Sequence, residues 1–325
     1  MRLLVARAGG VPPRLERTVT LGVRRFLSPL LFMSPSLVAV LLFFLTPAVL
    51  TVLLSTTNMS VATGFGSYSF IGLENYRRLA LSRWTPLILK NTVFYVVMTL
   101  MLFNVGLGLL ISLLTTHVED RIGTVFRAIW LLPRITPSVV YALMWLWATS
   151  DASWGIVNQF LGLFGVEPRN WMTAEPWLCV ILVNGLVGAS FGMIIFTSAI
   201  KSIPDAYLMA AKVDGATTLQ TIRRVILPLM RWPILFVTVY QTLSLLTSFE
   251  YILLTTDGGP GFYRTEVWSL HAYHRALTSY YGNVQFGYGA ALATVLVVIG
   301  IAAAIICLRV FRFGEMVEDP RIEVS

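Results

Sequence analysis

Residues 209–230, MAAKVDGATTLQTIRRVILPLM, form a polar stretch inside a chain that is otherwise strongly apolar. Of the 325 residues, 56% are hydrophobic and 12% are charged, whereas a soluble domain carries about 25% charged residues. Charged side chains are costly inside lipid and are therefore kept out of it. The composition predicts a multi-pass membrane protein in which residues 209–230 belong to a loop outside the hydrocarbon.

Six apolar segments are long enough to cross a bilayer, which takes about 20 residues per helix. They are residues 29–55, 90–116, 125–149, 176–200, 230–256 and 288–311. The first is longer than the apolar part of a signal peptide, which favours a retained span. We therefore predict an all-α fold with six transmembrane helices.

The distribution of basic residues predicts the orientation of these spans. With the amino terminus in the cytoplasm, the cytoplasmic segments hold more than twice as many Lys and Arg residues as the outer segments, as the positive-inside rule requires. Both termini are predicted to be cytoplasmic. Around the spans we expect a basic arm at 1–28, an outer segment at 56–89, a core at 90–311 and a tail at 312–325.

The loop at 201–230 lies on the predicted cytoplasmic side, and its local chemistry predicts two short helices. Asp205 would place a negative charge in the first turn of the first helix, which suits the helix dipole. Gly215 readily takes the left-handed conformation that ends a helix, and Thr217 can cap the next one. Two interpretations stay open on these residues alone: a docking surface for another protein, or a helix pair lying on lipid headgroups.

This loop resembles the cytoplasmic coupling loop of binding-protein-dependent ABC importer permeases, whose signature has Glu-Ala-Ala, then Gly, then Ile-x-Leu-Pro. The matching residues are Ala210, Ala211, Asp214, Gly215, Ala216, Ile226, Leu227 and Pro228. The Ile-Leu-Pro of this sequence is one residue tighter than the strictest form of the signature. Met209 stands where that family usually has Glu, and Asp205, one turn earlier, is a candidate substitute for the missing carboxylate. The resemblance implies an ABC importer type I permease core whose loop docks on an ATPase and carries its motion to the spans.

A second signature follows the fifth predicted span. On turn chemistry alone it is an outer hairpin, but it resembles the Thr-x-Gly-Gly-Pro pattern of the sugar-importer branch, in particular the first permease of the maltose and glycerol-3-phosphate transporter type. The matching residues are Thr256, Gly258, Gly259, Pro260, Thr265 and Glu266. The resemblance covers about residues 70–312.

The resemblance also implies partners and a location. We expect a second homologous permease subunit, a cytoplasmic ABC ATPase dimer that binds ATP and Mg²⁺, an extracytoplasmic solute-binding protein and a sugar substrate. The site of action would be the lipid bilayer of the cell membrane of a bacterium or archaeon. The net charge of +8 is explained by basic residues on the cytoplasmic side, so no nucleic-acid partner is expected.

Polar and aromatic residues inside the spans are candidates for a substrate path. Amides and hydroxyls bond to sugar hydroxyls, and aromatic rings pack on pyranose rings; helix–helix packing is the alternative interpretation. The candidates are Asn184, Gly188 and Phe191 on the fourth span and Gln241, Ser244, Ser248 and Tyr251 on one predicted face of the fifth.

Arg134 is an unusual charge in the third predicted span. It lies between Pro133 and Pro137, which predict a kink. A cation at membrane depth needs a carboxylate, carbonyl groups or water. A structural pairing and a transport role both stay open, and Glu250 is a candidate partner.

Catalytic and metal chemistry is not expected in this chain. Cys179 and Cys307 lie in apolar runs and are predicted to be core residues, and no metal-binding or nucleotide-binding motif is present. We therefore expect no metal, no cofactor and no enzyme activity, with ATP hydrolysis in a separate subunit. The alternatives are an ion-coupled secondary transporter of a small solute, which would want acidic or His residues at mid-membrane, and an intramembrane enzyme.

Overall fold

The computed structural model describes residues 32–64, 66–152, 154–278, 283–311 and 313, and these residues are mostly helical. The predicted amino-terminal arm and nearly all of the predicted tail lie outside the described residues. The helices are α1 Phe32–Ser55, α2 Glu74–Leu81, α3 Thr85–Thr116, α4 Asp120–Ile135, α5 Ser138–Ala148, α6 Ile156–Gly162, α7 Trp171–Ala174, α8 Pro176–Lys201, α9 Asp205–Val213, α10 Thr218–Thr221, α11 Arg231–Thr247, α12 Glu250–Thr255, α13 Trp268–Leu277 and α14 Phe286–Val310.

The chain divides into two compact units, residues 1–53 and 54–325. In the first unit, the described part is the body of α1, whose large apolar side chains are mostly exposed within the chain. Exposed apolar side chains along a helix of this length are typical of a helix that faces lipid or another membrane helix.

Within the described residues, four helices are long and apolar enough to cross a membrane: α1, α3, α8 and α14. The bent pair α4 and α5 gives a fifth candidate. Helix α11 has 17 residues, which rise about 26 Å, somewhat less than the hydrocarbon core of about 30 Å. The fold is therefore a multi-pass helical membrane protein, and the part of the chain that the structure describes does not contain six uninterrupted membrane-length helices.

The predicted third span, residues 125–149, is not one helix. Helices α4 and α5 meet at an angle of 98°, and the backbone of Thr136 between them is extended. Pro137 disfavours the helical conformation for the residue before it, so α4 ends at Ile135. The kink predicted from the two prolines is present, but it is a sharp corner with Arg134 beside it.

The predicted fifth span, residues 230–256, is also interrupted. Ser248 is extended, so Tyr251 on α12 does not continue the helical face of α11 and the prediction of one shared face is wrong there. Hydrogen bonds from other helices satisfy the polar groups of Ser248 at this break. The Ser248 hydroxyl accepts a hydrogen bond from Asn184 at 2.9 Å, and the Ser248 carbonyl accepts one from Ser269 at 3.3 Å.

The core is built around α8, which packs closely against α3. Helix α3 widens into a π-helical segment at Leu100–Leu107, and the carboxamide of Asn104 in this segment lies against Gly188. A Cβ at Gly188 would stand 2.0 Å from Asn104 Oδ1. Of the two cysteines, Cys179 on α8 is 4% exposed, as predicted, whereas Cys307 is only half-buried.

Candidate functional site

The first helix of the 201–230 loop has the predicted form. Helix α9 begins at Asp205, which supplies the acidic residue of its first turn, and ends at Val213 with Asp214 as its C-cap. Gly215 follows with φ +71°. The Gly215 N–H donates to the Lys212 carbonyl at 3.0 Å, and the Ala216 N–H donates to the Ala211 carbonyl at 2.9 Å. This pair of bonds is a Schellman motif, in which a left-handed glycine closes a helix.

The second helix of the loop is capped by Thr217. The Thr217 hydroxyl accepts from the Gln220 N–H at 3.4 Å, and the Gln220 side chain accepts from the Thr217 N–H at 2.8 Å. This reciprocal pair is a capping box. The helix continues through a π-helical segment at Ile222–Ile226 and a short turn at Leu227–Leu229 that contains Pro228. Helix α11 follows directly, so the loop is rigidly joined to it.

The outer surface of the loop includes several large apolar side chains. Met209 is 61% exposed and Ala210 is exposed, whereas Ala211 is 8% exposed and faces inward, as Ile226 does. The two alanines of the signature, Ala210 and Ala211, therefore differ in exposure: Ala210 lies on the outer surface and Ala211 in the interior. Further exposed apolar side chains on this loop are Tyr207, Val213 and Leu219. Sequence reasoning missed these three, although large apolar residues in a polar loop were a visible signal.

Most of the polar residues that were candidates for a substrate path form hydrogen bonds within the chain. Asn184 donates to the Tyr95 hydroxyl and to the Ser248 hydroxyl. Gln241 Nε2 donates to the Gly188 carbonyl at 3.0 Å. These contacts fit the alternative interpretation, in which the polar residues hold helices together. Tyr95, whose ring is fully buried, was not predicted as part of this group.

A second group, here called the aromatic seam, consists of Phe191, Phe236 and Tyr240. The Phe191 and Tyr240 ring centroids lie 4.8 Å apart, and those of Phe236 and Tyr240 lie 6.1 Å apart, with the rings nearly parallel in both pairs. The Arg134 guanidinium lies 5.3 Å from the Phe191 centroid, a cation–π distance. Ser244, one turn beyond Tyr240, is exposed on the same side of α11.

The aromatic seam is accessible within this chain, since Phe236 is 51% exposed and Tyr240 is 48% exposed. Of its members, only Phe191 was predicted. Arg134 forms no ion pair with Glu250 in the structure. Glu250 instead accepts a hydrogen bond from Ser138 at the start of α5.

The Thr-x-Gly-Gly-Pro segment forms a turn that is held by hydrogen bonds, and a buried carboxylate follows it. The Thr265 hydroxyl donates to the Gly259 carbonyl at 2.6 Å. Glu266 is 2% exposed, and its Oε1 contacts Nδ1 of His271 at 3.1 Å and Nδ1 of His274 at 3.0 Å. The other ring nitrogen of His274 contacts Asp257 Oδ1 at 2.9 Å. The sequence placed these residues in an outer hairpin but did not predict their network.

The network sets the charges of its members. Burial favours the neutral acid, but the bonds from both histidines outweigh it and lower the pKa of Glu266. Burial also favours neutral histidine, and it lowers the pKa of His271. In His274 the bonds to Glu266 and Asp257 outweigh burial and raise the pKa. Both nitrogens of His274 face carboxylate oxygens, an arrangement that favours the protonated ring, in which both nitrogens donate.

Among the described residues, no group of three or more His, Cys, Asp or Glu side chains could hold a metal ion. Within the described ranges, three acidic or imidazole side chains are buried: Glu266, His271 and His274. All three lie between α12 and α14 rather than within a long apolar helix.

Two ABC-type permease proteins are similar in sequence to most of this chain, and a solved structure has its fold. The trehalose/maltose transport system permease protein MalF of Thermococcus litoralis is 28% identical over 287 residues, covering 87% of this chain and 93% of MalF. The probable ABC transporter permease protein YesP of Bacillus subtilis is 31% identical over 279 residues, covering 82% and 85%. A chain of a bacterial ABC transporter involved in the import of the acidic polysaccharide alginate has the same fold, with a TM-score of 0.75 and 24% identity over 91% of this chain and 98% of that one.

A family model for the inner membrane components of binding-protein-dependent transport systems matches residues 104–318. This range includes both halves of the bent pair α4 and α5, the loop at 201–230, the aromatic seam of α8 and α11, and the Glu266 network. With two thirds of its length matched, the chain belongs to the family of binding-protein-dependent transport system inner membrane components.

Proposed function

We propose that this chain is a permease subunit of an ATP-driven importer that moves a sugar or sugar derivative across the cell membrane. The proposal rests on the direct connection between the 201–230 loop and the aromatic seam. Helix α8, which bears Phe191, runs into the 201–230 loop, and α11, which bears Phe236 and Tyr240, leaves it. Any displacement of the loop is passed along two helices to the aromatic seam.

The exposed surface of the loop supports docking on an ATPase subunit. Exposed apolar side chains gathered on one loop mark an interaction site more often than a solvated face, and Val213 is 87% exposed and Leu219 is 74% exposed. The capped and Schellman-closed helices make the loop stiff enough to transmit force. ATP and Mg²⁺ would be bound by the ATPase dimer, while a second permease and an extracytoplasmic binding protein would complete the importer.

The aromatic seam supports a sugar as substrate. Parallel aromatic rings offer flat apolar faces to the carbon–hydrogen side of a pyranose. Arg134 supplies N–H donors and Ser244 supplies a hydroxyl for the oxygens of the sugar. The polar cluster of Asn184, Gln241 and Ser248, by contrast, is occupied by bonds within the chain and is assigned to holding α8 and α11 together.

An ion-coupled secondary transporter would place an acidic or His residue near the middle of its helices. The described residues of α8 and α11 contain neither an acidic residue nor a histidine. We therefore favour coupling through the ATPase.

The experiment is ATP-dependent uptake in proteoliposomes that contain the chain, its second permease and its ATPase, supplied with sugar-loaded binding protein. Uptake should stop when the ATPase carries an inactivating substitution and should persist when ionophores collapse all ion gradients. Tyr240→Leu and Phe191→Leu should lower uptake with the complex still assembled. Phe44→Leu on α1, where the ring is 72% exposed, is the matched control and should leave uptake unchanged.

Uptake that continues with the inactive ATPase and disappears with the ionophores would replace the proposal with secondary transport. Equal uptake by the Tyr240, Phe191 and Phe44 variants would remove the aromatic seam from the substrate path while leaving the coupling intact.

A further inference from the structure

A cavity of about 640 Å³, here called the Trp84 cavity, lies beside the Thr-x-Gly-Gly-Pro turn, at the opposite end of α11 from the 201–230 loop. Its lining includes Trp84 and Phe262 on one side and Asp257, Glu266 and His274 on another. Sites for small molecules typically measure about 300–1,000 Å³ and combine apolar walls with a few polar groups. The cavity has the size and the mixed lining of such a site.

The apolar part of the cavity is a platform of aromatic rings. The Trp84 and Phe262 rings are nearly parallel, at an interplanar angle of 8° with centroids 6.4 Å apart. Tyr263 supports Trp84 from a centroid distance of 4.7 Å. Phe262 is 86% exposed, so its face is free. A flat platform of this kind fits the apolar face of a sugar ring.

The polar part of the cavity is a pair of neighbouring carboxylates. Both histidine contacts of Glu266 go to Oε1, while its Oε2 lies beside Gly258 in the cavity lining. Gly258 leaves room for this oxygen, since a Cβ there would stand 2.0 Å from it. A ligand hydroxyl in the cavity can donate to a carboxylate oxygen at this position. Asp257, with its side chain 51% exposed, offers a second carboxylate beside it.

The charges favour a neutral ligand rich in hydroxyl groups over a cation. His274, protonated between two carboxylates, already balances part of their charge. The Arg83 guanidinium, 4.6 Å from the Trp84 ring centroid, adds a further positive charge at the cavity. Neutral hydroxyls can donate to the carboxylates and accept from Arg83 without a net charge of their own.

We propose that the Trp84 cavity binds a saccharide unit, which stacks on Trp84 and Phe262 and donates hydrogen bonds to Asp257 and Glu266. The inference rests on the proposed function, because it adds a second saccharide site to a sugar permease, separate from the aromatic seam. A chain of sugar units entering from this end would meet the Trp84 cavity before it reaches Tyr240.

The test uses the complete permease–ATPase complex in lipid nanodiscs, without its binding protein, applied to an array of neutral and acidic oligosaccharides. Wild type should bind a subset of the glycans. Asp257→Asn should weaken that signal about tenfold, the scale expected for one weakened hydrogen bond to a charged group. Phe262→Ala, which removes the exposed stacking face, should weaken it as well. Phe164→Ala, at a ring that is 71% exposed and outside the cavity, is the matched control and should keep it.

Three outcomes would overturn the inference. One is the absence of any glycan signal that depends on Phe262 and Asp257. Another is a signal lost in Tyr240→Leu but kept in Phe262→Ala and Asp257→Asn, which would assign binding to the aromatic seam. The third comes from a parallel ATPase assay with the binding protein added: unchanged glycan binding by both variants together with reduced stimulation of their ATPase would make the cavity a protein contact. Failure of the proposed function is scored separately, as loss of ATP-dependent uptake by the wild-type complex.

Discussion

Substitution of Gly215 isolates the mechanical role of the 201–230 loop. Gly215 has φ +71°, and no atom lies within 4 Å of a Cβ built at this position. A side chain here would therefore meet no neighbour, and its effect comes from the backbone alone. The left-handed conformation costs an L-residue roughly 1–2 kcal/mol relative to its preferred helical one, while asparagine tolerates it better than other residues.

The expected order of activity is Gly, then Asn, then Ala, then Val. At 1.4 kcal/mol per factor of ten, the alanine penalty shifts the balance between the native turn and competing conformations roughly 5- to 30-fold. A β-branched residue at positive φ is a genuine outlier, so Gly215→Val should disrupt the Schellman closure most. Gly215→Asn should stay within about twofold of wild type, because its penalty is a fraction of that for alanine.

The assay is ATP-dependent uptake in proteoliposomes, normalised to the amount of chain inserted, together with recovery of the chain on an affinity-tagged ATPase. Insertion should be equal in all variants because Gly215 lies outside the long apolar helices. Wild-type uptake by Gly215→Val would refute the reasoning that the loop must close at this residue. An equal loss in Gly215→Asn and Gly215→Val would show that a glycine is required for space, contrary to the open surroundings.

Three further predictions concern the packed interior and the outer network. The stability that His274 adds should be fully present below pH 6.5, the pKa of the imidazole in the unfolded chain, and should be lost as the pH rises through the raised pKa of the folded state. The difference in Tm between wild type and His274→Gln should therefore shrink from pH 6 to pH 8. A difference in Tm that stays constant over this range would contradict the prediction. Gly188→Ala should lower the stability of the protein by about 1–3 kcal/mol, because the side chain of Asn104 must move. Gly162→Ala is the control and should change stability little, since a Cβ at that position would have no atom within 4 Å. Equal Tm values for the two variants would contradict the close packing at Gly188. Gln241→Leu should lower the Tm in detergent by the loss of one buried interhelical hydrogen bond, about 0.6–2 kcal/mol in membrane proteins, and an unchanged Tm would show that this bond contributes nothing.

The features that were predicted correctly from sequence depend on neighbours along the chain. Gly215 ends a helix and Thr217 begins one because the groups they bond lie within a few residues. The corner before Pro137 follows from a steric clash with the preceding residue. Such local rules need no knowledge of the remaining fold, so capping and proline chemistry predicted the two helices of the loop and the corner in the third predicted span. Composition and the length of the apolar segments predicted the multi-pass membrane class.

The features that were missed depend on distant partners. No proline or glycine marks the break at Ser248, which is supported by Asn184 from another helix. The network of Glu266 joins residues up to 17 positions apart, and neither histidine carries a motif. Tyr240 looks like any apolar residue of a span until Phe191 is placed against it. The polar candidates, conversely, were chosen for their chemistry, and the structure uses much of that chemistry for packing.

The π-helical segment at Leu100–Leu107 has a consequence for how this architecture can change in length. A π-turn is closed by a bond from residue i to i+5 and so holds one residue more than an α-turn. Deleting one residue within the segment would return it towards α geometry with both flanks in register: Tyr95 would still face Asn184, and Ser112 would still donate to the Met193 carbonyl. A deletion elsewhere in α3 would turn everything beyond it by about 100° around the helix axis. The segment is thus the point at which related chains can differ by a residue and keep the same bundle.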